Sequence, residues 1–539
     1  MTAPPDSISA RLARLGEHPR SPVIVRCSGP VSAEDVTAAQ LLDGCTRIAD
    51  ALRAAGVRSG DRAVVMTRDA YQLVVCIYAL TSLGAVPVLV EPPAGVRHRQ
   101  DEIAPGVFIG EPPAHVARRA LGWGHGHVRT ALVTGRGFPG QAHLLGRHLP
   151  SAVPDGTGPA PRVAEPRPED LAMIAFASGS TGRPKGVRYA HATLAGQLTA
   201  LDCVLRAEAD DVLLCCFLPF AALGPLLGVT TVAPQVDHLA PARTPPAHLV
   251  GPLLHHRASV LLGSPAVLGL IAGHCSRHGL TLPSVRRVVS FGAPLHPRLA
   301  EALARALPAG AEILGVHGAT QCLPVAAIDA EQSRTLRIQP PPGHAGTCLG
   351  RPLPGVQARV LDADATGLGE ISVAGPAVGP GRHARPESTD AARTEADGTL
   401  WYRTGDLGRL DDEGRLWYLG RKADLVTGED FTLTTEDIEV LADTAAGVRR
   451  TALVGVGPAG RQRAVLCVEP ERAARKDTVV GALRTALGDH PQAHRIGSVL
   501  FHPRLPTDFR HDSGIDRARL ATRAGDEGHG RERVGASRG

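Results

Sequence analysis

A loop of very small residues follows an apolar strand near residue 180, and this feature constrains the fold more than any other. Residues 173–176 are apolar and predict a buried strand. The loop that follows consists of Ser178, Gly179, Ser180, Thr181 and Gly182. Side chains this small allow backbone N–H groups and hydroxyls to approach an anion closely. Because Arg183, Lys185 and Arg188 add positive charge beside the loop, the sequence predicts a phosphate-binding loop.

The loop does not match the Walker motif of many nucleotide-binding proteins. That motif ends in Gly-Lys followed by Ser or Thr, whereas Lys185 is followed by Gly186. An ordinary surface turn between a strand and a helix is the alternative interpretation. The length of the segment and its specific string of small and basic residues favour phosphate binding.

The composition excludes several classes of protein. A chain of 539 residues is too long for one hydrophobic core, so two or more domains are expected. The net charge is only +5 and aromatic residues make up 3%, which argues against a nucleic-acid groove lined by clustered cations and stacking rings. The ten cysteines show no C-x-x-C spacing and most lie in apolar segments. Buried, reduced thiols in a cytoplasmic protein are therefore predicted.

No segment predicts insertion into a membrane. The first twenty residues lack the apolar stretch of a secretory signal. Residues 212–236 carry no charge and are long enough to span a bilayer. Prolines at positions 219, 225 and 234 would interrupt a continuous helix, so a buried strand, loop and helix are predicted instead.

The order of helical and extended segments predicts the domain organisation. Residues 38–90 read as helix, strand, helix and strand, which is typical of a parallel sheet covered by helices. Strands are also predicted within residues 259–265, 285–294 and 313–320; each ends in Gly, Ser or His, which indicates one site at the carboxyl edge of a sheet. The predicted divisions are a large domain over residues 1–420, β-rich from about 350, a small domain over 421–524, and a disordered tail over 525–539.

One glycine motif is predicted to be structural. Residues 455–460 match the G-x-G-x-x-G pattern of dinucleotide-binding proteins, but a second strand rather than a helix follows them. A hairpin turn is therefore predicted at this position.

The phosphate-binding loop and three later segments resemble, in the same order, the motifs of the adenylate-forming superfamily. These segments are VHGATQ at residues 316–321, YRTGD at 402–406 and GRKAD at 420–424. The resemblance implies an α/β fold with a large N-terminal domain of mixed, mostly parallel sheets, a β-rich subdomain and a small C-terminal α+β domain. It also implies ATP and Mg²⁺ as cofactors.

The resemblance assigns roles to individual residues. The nucleotide would contact the loop, Lys185, Gly318, Ala319 and Thr320, while Asp406 would bind the ribose hydroxyls and Arg421 would lie at the hinge between domains. Lys185, His317 and Arg421 are the candidate catalytic residues. Thr181 and Gln321 are the candidate metal ligands.

Within the superfamily the resemblance is greatest to the β-lactone synthetases of olefin and β-lactone biosynthesis. Six stretches carry it: residues 84–92, 108–122, 217–227, 263–266, 346–354 and 505–520. Such enzymes activate a 3-hydroxy acid as its acyl-adenylate, and the hydroxyl then closes a four-membered lactone within the same molecule. An apolar pocket for this small carboxylic acid is predicted around Phe217, Phe220, Gly263, Ser264, Gly292 and Ala293. A homodimer and contacts with enzymes of the same pathway are left open.

Three positions depart from the family's motifs. Gln321 replaces the glutamate that helps to hold Mg²⁺, and Gly514 replaces the lysine that bridges the carboxylate and the α-phosphate. Arg510 and Arg517 are the cations that could take over part of that lysine's role. Ala423 occupies the hinge position where coenzyme A ligases carry Asp or Lys, which favours an enzyme without a large domain rotation.

Three interpretations therefore remain open from the sequence. The first is a β-lactone synthetase with altered catalytic groups. The second is an enzyme of the same fold with another acceptor, either a coenzyme A ligase or an enzyme that uses ATP to form an N–N bond. The third is a nucleotide-binding relative without catalytic activity, favoured by Gln321 and Gly514.

Overall fold

The computed structural model describes residues 6–90, 103–135, 145–161, 166–177, 185–237, 240–341, 344–379, 381–382, 393–396, 399–507 and 514–526. The chain divides into two compact units. The first unit comprises residues 1–325, 353–356 and 374–400, and the second comprises residues 326–352, 357–373 and 401–539. The predicted boundary at residue 420 stays a prediction.

Thirteen α-helices lie within the described residues. They are α1 (Ile8–Leu15), α2 (Ala38–Ala54), α3 (Ala70–Ser82), α4 (Pro112–Leu121), α5 (His191–Leu205), α6 (Leu223–Leu227), α7 (Ala247–His255), α8 (Pro265–His278), α9 (Pro297–Ala304), α10 (Ala330–Ile338), α11 (Thr435–Ala442), α12 (Lys476–Leu487) and α13 (Arg517–Asp526).

The strands of the described residues number twenty-seven. They are β1 (Pro22–Cys27), β2 (Ala33–Thr37), β3 (Arg62–Met66), β4 (Val86–Leu89), β5 (Val107–Gly110), β6 (Thr130–Val133), β7 (Arg147–His148), β8 (Leu171–Ala177), β9 (Lys185–Ala190), β10 (Val212–Cys215), β11 (Thr230–Ala233), β12 (Val260–Gly263), β13 (Arg287–Phe291), β14 (Glu312–Ala319), β15 (Cys322–Asp329), β16 (Thr347–Pro352), β17 (Gln357–Leu361), β18 (Gly369–Ala374), β19 (Gly381–Arg382), β20 (Arg393–Ala396), β21 (Thr399–Leu410), β22 (Leu416–Arg421), β23 (Val426–Thr427), β24 (Thr432–Leu433), β25 (Val448–Val456), β26 (Arg463–Pro470) and β27 (Ile496–Phe501).

Two mostly parallel sheets form the first unit. One has the order β19-β9-β8-β4-β3-β5-β6-β7, in which β8 through β7 are parallel and β9 runs antiparallel to β8. In the other, the order β14-β13-β12-β10-β11-β1 is parallel throughout and β2 adds an antiparallel edge. The predicted α/β class with mixed, mostly parallel sheets is confirmed.

The helices and strands predicted within residues 38–90 form as α2, β3, α3 and β4, because local signals and the core agree. The side chain of Thr37 accepts a hydrogen bond from the backbone of Gln40, and Gln40 reciprocates, which fixes the start of α2. The strand predicted at residues 62–66 is β3, whose central residues are fully buried. Helix α3 is buried on nearly all sides, which explains its uniformly apolar sequence.

Strands β12, β13 and β14 are parallel neighbours, so their carboxyl ends meet at one edge as predicted. The opposite edge of this sheet is fastened by charged groups. Asp211 accepts hydrogen bonds from Ser259 (2.7 Å) and from Nε of Arg286 (2.9 Å). The ion pairs therefore stabilise the end of the sheet opposite to the predicted site.

The second unit contains a predominantly antiparallel sheet and a smaller three-stranded sheet. The antiparallel sheet has the order β17-β18-β21-β22-β16 and continues to residues 326–329 at the end of β15. The three-stranded sheet pairs β25 with β26 antiparallel and β26 with β27 in parallel. The predicted β-rich texture is confirmed, and residues 457–462 are the hairpin turn predicted in place of a dinucleotide site.

The uncharged segment after Asp211 forms the predicted strand, loop and helix as β10, a 3₁₀ turn over Leu218–Ala222 and α6, and a second strand, β11, follows them. Within the described ranges, no helix combines the length and apolar character that crossing a bilayer requires. The ten cysteines all lie in described residues, none forms a disulfide, and nine are buried while Cys203 is exposed. The tail predicted over residues 525–539 begins too early, because the last helix buries Ala524 and continues to Asp526. Residues 527–539 lie outside the described residues.

Candidate active site

The strands on both sides of the predicted phosphate-binding loop pair directly with each other. In the antiparallel pair of β8 and β9, Ala177 lies opposite Lys185 and Phe176 lies opposite Gly186. The loop itself, with Ser178, Gly179, Ser180, Thr181 and Gly182, falls outside the described residues, as does the Lys185 side chain. The structure thus places the backbone of Lys185 at the first position of β9, while the roles of the loop residues stay predictions.

The predicted adenine and phosphate segment forms the end of β14 and the turn into β15. His317, Gly318 and Ala319 are the last residues of β14, and Thr320 and Gln321 form the turn. Gly318 is required here, because a Cβ atom would lie 2.6 Å from Cδ1 of Leu323 and 2.9 Å from the carbonyl oxygen of Cys322. The segment is therefore tightly folded.

Tyr189 connects this turn to the strand that carries Lys185. Its hydroxyl donates a hydrogen bond to the carbonyl oxygen of Thr320 at 2.5 Å. On the other side of the turn, the backbone N–H of Gly379 donates to the carbonyl oxygen of Gln321 at 2.7 Å. Strand β9 and the turn at Thr320 are thereby held together in the first unit. Sequence reasoning missed Tyr189, because a tyrosine in a strand has no motif that identifies its partner.

The predicted acid pocket contains a cluster of aromatic rings. Phe217 and Phe220 follow β10, and their ring centroids lie 5.0 Å apart in an edge-to-face arrangement. Both also contact Phe291, the last residue of β13, which lies in the stretch 290–294 predicted to line the pocket but was not singled out there. Gly263 and Ser264 lie at the end of β12, and Gly292 and Ala293 directly follow Phe291. Residues predicted from three separate segments are thus brought to the same sheet edge.

Asp406 and Arg421 are cross-strand neighbours in the second unit. They face each other in the pairing of β21 with β22, and Nε of Arg421 lies 3.2 Å from Oδ1 of Asp406. Asp406 is only 2% exposed, whereas the Arg421 side chain is 40% exposed. The carboxylate of Asp406 raises the pKa of the Arg421 guanidinium. The structure therefore joins a buried carboxylate to an accessible cation, two groups that the sequence predicted separately.

A second set of charged residues holds the turn that precedes Asp406. Glu370 accepts hydrogen bonds from Arg403 (2.9 Å), from Lys422 (3.1 Å) and from the backbone N–H of Gly405 (3.2 Å). The hydroxyl of Thr404 also holds the turn, because it donates to the carbonyl oxygen of Ile371 and accepts a hydrogen bond from the backbone N–H of Asp406. Gly405 has a φ of +80°, a conformation that favours glycine. Glu370 was not predicted, because it lies more than thirty residues before the motif that it supports.

Arg517 is fully engaged at the start of α13. Its guanidinium donates to both carboxylate oxygens of Glu439, and Nη1 also donates to the carbonyl oxygen of Leu453 at 2.9 Å. Asp424 lies 3.5 Å from its Nε. Burial acts against the charge, but Glu439 and Asp424 nevertheless raise the pKa of Arg517. An arginine with this many partners is poorly suited to replace the lysine missing at Gly514, and Arg510 lies outside the described residues.

The candidate ligands for Mg²⁺ are only partly described. Within the described ranges, no group of three or more His, Cys, Asp or Glu residues is arranged to hold a metal ion. Gln321 is 6% exposed and contributes a neutral side chain, which is a weak ligand for a hard cation. Thr181 falls outside the described residues. Mg²⁺ therefore stays a prediction, and no chemical step is assigned to it.

Comparison with known proteins identifies the family. The family model described as "AMP-binding enzyme" matches residues 13–381. The chain belongs to the AMP-binding enzyme family. The family, the fold and the class of AMP-forming ligase predicted from the sequence are thus confirmed.

Individual members of the family resemble this chain over almost its entire length. The olefin β-lactone synthetase of Stenotrophomonas maltophilia is 38% identical, with 97% of this chain and 99% of the relative covered. The enzyme of the same name from Xanthomonas campestris is 36% identical, with coverage of 96% and 97%. Among solved structures, the amide bond synthetase McbA from Marinactinospora thermotolerans has a TM-score of 0.78 at 23% identity, covering 96% of this chain and 99% of that one. This last similarity concerns the fold.

Proposed function

We propose that this member of the AMP-binding enzyme family activates a 3-hydroxy acid with ATP and closes it to a β-lactone. The observation that carries the proposal is the near full-length similarity to two olefin β-lactone synthetases, at 38% and 36% identity. The aromatic cluster at the carboxyl edge of the parallel sheet supports an apolar acid.

The proposed reaction has two steps. In the first, a carboxylate oxygen of the acid attacks the α-phosphorus of ATP, and the bond from that phosphorus to pyrophosphate breaks. In the second, the oxygen of the 3-hydroxyl attacks the activated carbonyl carbon, the bond to AMP breaks, and the hydroxyl loses its proton. Because nucleophile and carbonyl belong to one molecule, ring closure requires no second acyl acceptor.

The side chains of this chain would bind the nucleotide and assist proton transfer. We propose that Asp406 accepts hydrogen bonds from the ribose hydroxyls and that Arg421 contributes positive charge toward the phosphates. Residues 178–182 and Lys185 would hold the phosphates. His317, an imidazole at the end of β14, is the candidate acceptor of the hydroxyl proton.

The proposal is tested by ATP–pyrophosphate exchange over a panel of 3-hydroxy acids, unsubstituted fatty acids and aromatic acids. Exchange with 3-hydroxy acids, together with a β-lactone product detected by mass spectrometry and NMR, is the expected result. A thioester formed only when coenzyme A is added would instead identify an acyl-CoA ligase.

A nucleotide-binding relative without catalysis is the second candidate, favoured by the missing lysine and by the engagement of Arg517 with Glu439. The variant Gly514→Lys tests it, because a restored cation should raise exchange by about a hundredfold if only this group limits adenylation. Gly525→Lys is a matched control that adds the same charge at an exposed position of α13. ATP binding with no exchange in either variant would support the non-catalytic relative.

A further inference from the structure

Three of the nine phenylalanines in this chain meet in one cluster, although aromatic residues make up only 3% of the sequence. Phe220 and Phe291 are stacked with centroids 5.1 Å apart and an angle of 24° between their planes. Phe217 meets both rings edge-on, at 5.0 Å from Phe220 and 5.8 Å from Phe291. Because the chain contains so few aromatic residues, three rings in mutual contact indicate a specific role for this cluster.

The cluster lies where a ligand is expected in a parallel sheet. Phe217 and Phe220 follow the carboxyl end of β10, and Phe291 is the carboxyl end of β13. Strand β12 lies between these two strands and ends at Gly263, which has no side chain. Crowding by the described residues does not require this glycine, because a Cβ atom would be 3.4 Å from Leu268, an ordinary contact. The rings therefore lie at the carboxyl ends of the two strands that flank β12, whose own last residue has no side chain.

The segment that carries Phe217 and Phe220 is held in place by two hydrogen bonds. The hydroxyl of Tyr78, 1% exposed, donates to the carbonyl oxygen of Ala222 at 2.5 Å. The thiol of Cys215 donates to the carbonyl oxygen of Phe217 at 3.3 Å. Phe291 is 5% exposed, whereas Phe217 and Phe220 remain half-buried. The buried ring of Phe291 thus supports one face of the Phe220 ring.

We propose that the stack of Phe220 on Phe291 is the end wall of the acyl pocket and sets the longest acid that the enzyme accepts. The inference rests on the proposed function, since it concerns the same acid. A wall made of two stacked rings is rigid, so an acyl chain that reaches it gains no further buried surface. Below that length, each added methylene that becomes buried should improve binding by about fourfold.

Substitutions at Phe220 should move this limit in opposite directions. Phe220→Ala removes a ring from the wall and should admit acids several methylenes longer, with at least about a tenfold gain for the longest acid accepted. Phe220→Trp enlarges the wall and should shorten the limit. Phe291→Leu should act in the same direction as Phe220→Ala, because it withdraws the support behind Phe220. Phe108→Leu, in the core of the other sheet, is the matched control and should leave the length profile unchanged.

The profile should be measured in two ways with each variant that retains a cooperative thermal transition. The first measurement is ATP–pyrophosphate exchange with 3-hydroxy acids of four to sixteen carbons. The second is calorimetric binding of acyl-sulfamoyl adenosines of the same chain lengths, which requires no turnover. Opposite shifts for Phe220→Ala and Phe220→Trp in the binding profile would support the wall even if exchange were absent, in which case only the proposed catalysis fails. Identical binding profiles for the wild type and all Phe220 and Phe291 variants would overturn the inference.

Discussion

Two tyrosines each donate a hydrogen bond to a backbone carbonyl oxygen, one near the predicted nucleotide site and the other near the predicted acid pocket. Removing each hydroxyl in turn should therefore separate effects on nucleotide binding from effects on acid binding. Tyr189 donates to the carbonyl oxygen of Thr320, and Tyr78 donates to that of Ala222, each at 2.5 Å. The first contact fixes the turn at Gln321, and the second fixes the segment that carries Phe220. Replacing either tyrosine by phenylalanine removes one hydroxyl and leaves the ring in place.

Both variants should lose a similar amount of folding stability, but they should differ in the substrate whose kcat/KM falls. Loss of one buried hydrogen bond should lower the free energy of unfolding by about 1 kcal/mol in each case. Displacement of the turn at Thr320 by Tyr189→Phe should lower kcat/KM for ATP by about ten- to hundredfold, because small misplacements of binding groups are costly. Tyr78→Phe should lower kcat/KM for the acid while leaving the KM for ATP unchanged.

The measurement is ATP–pyrophosphate exchange with each substrate varied in turn, combined with urea unfolding of both variants. Equal losses of stability, with a lower kcat/KM for ATP in Tyr189→Phe and a lower kcat/KM for the acid in Tyr78→Phe, would confirm that the two contacts serve two sites. If both variants lost affinity for ATP and acid alike, or neither lost any, the assignment of these tyrosines would be wrong.

Three further predictions concern the second unit. Asp406→Asn should weaken binding of adenosine nucleotides about a hundredfold, because it removes the charge that would assist the proposed hydrogen bonds to the ribose. Calorimetry with AMP measures this directly. Burial raises the pKa of Asp443 to about 7, so its folded form binds a proton that the unfolded form releases near pH 4. The stability that this proton contributes is complete below about pH 4 and is lost as the pH rises to about 7. In urea unfolding, the free energy of unfolding of Asp443→Asn should therefore increase relative to that of the wild type as the pH rises from about 4 to about 7. Arg517→Ala leaves Glu439 without its paired cation and should destabilise the second unit by about 3 kcal/mol. Limited proteolysis of Arg517→Ala and Arg517→Lys measures this loss. A smaller loss of stability in Arg517→Lys would attribute part of the effect to charge alone.

The sequence alone determined the family, the class of fold and the positions of several regular elements. Periodic apolar patterns and capping residues act locally, so the strand at residues 62–66 and the helix after Thr37 could be predicted closely. The motifs after the loop could also be recognised from the sequence, because each is a short string of residues whose types indicate a function without knowledge of the surrounding structure.

Tertiary structure decided which residues support those motifs. Tyr189, Glu370 and Phe291 lie outside the motifs and contact Thr320, Arg403 and Phe220, residues distant in sequence. A hydrogen bond or ring contact of this kind depends on strand order and register, which long-range packing sets. Likewise, Arg517 was a plausible substitute for the missing lysine in sequence, and only its contacts with Glu439 and Leu453 show that its guanidinium is already used.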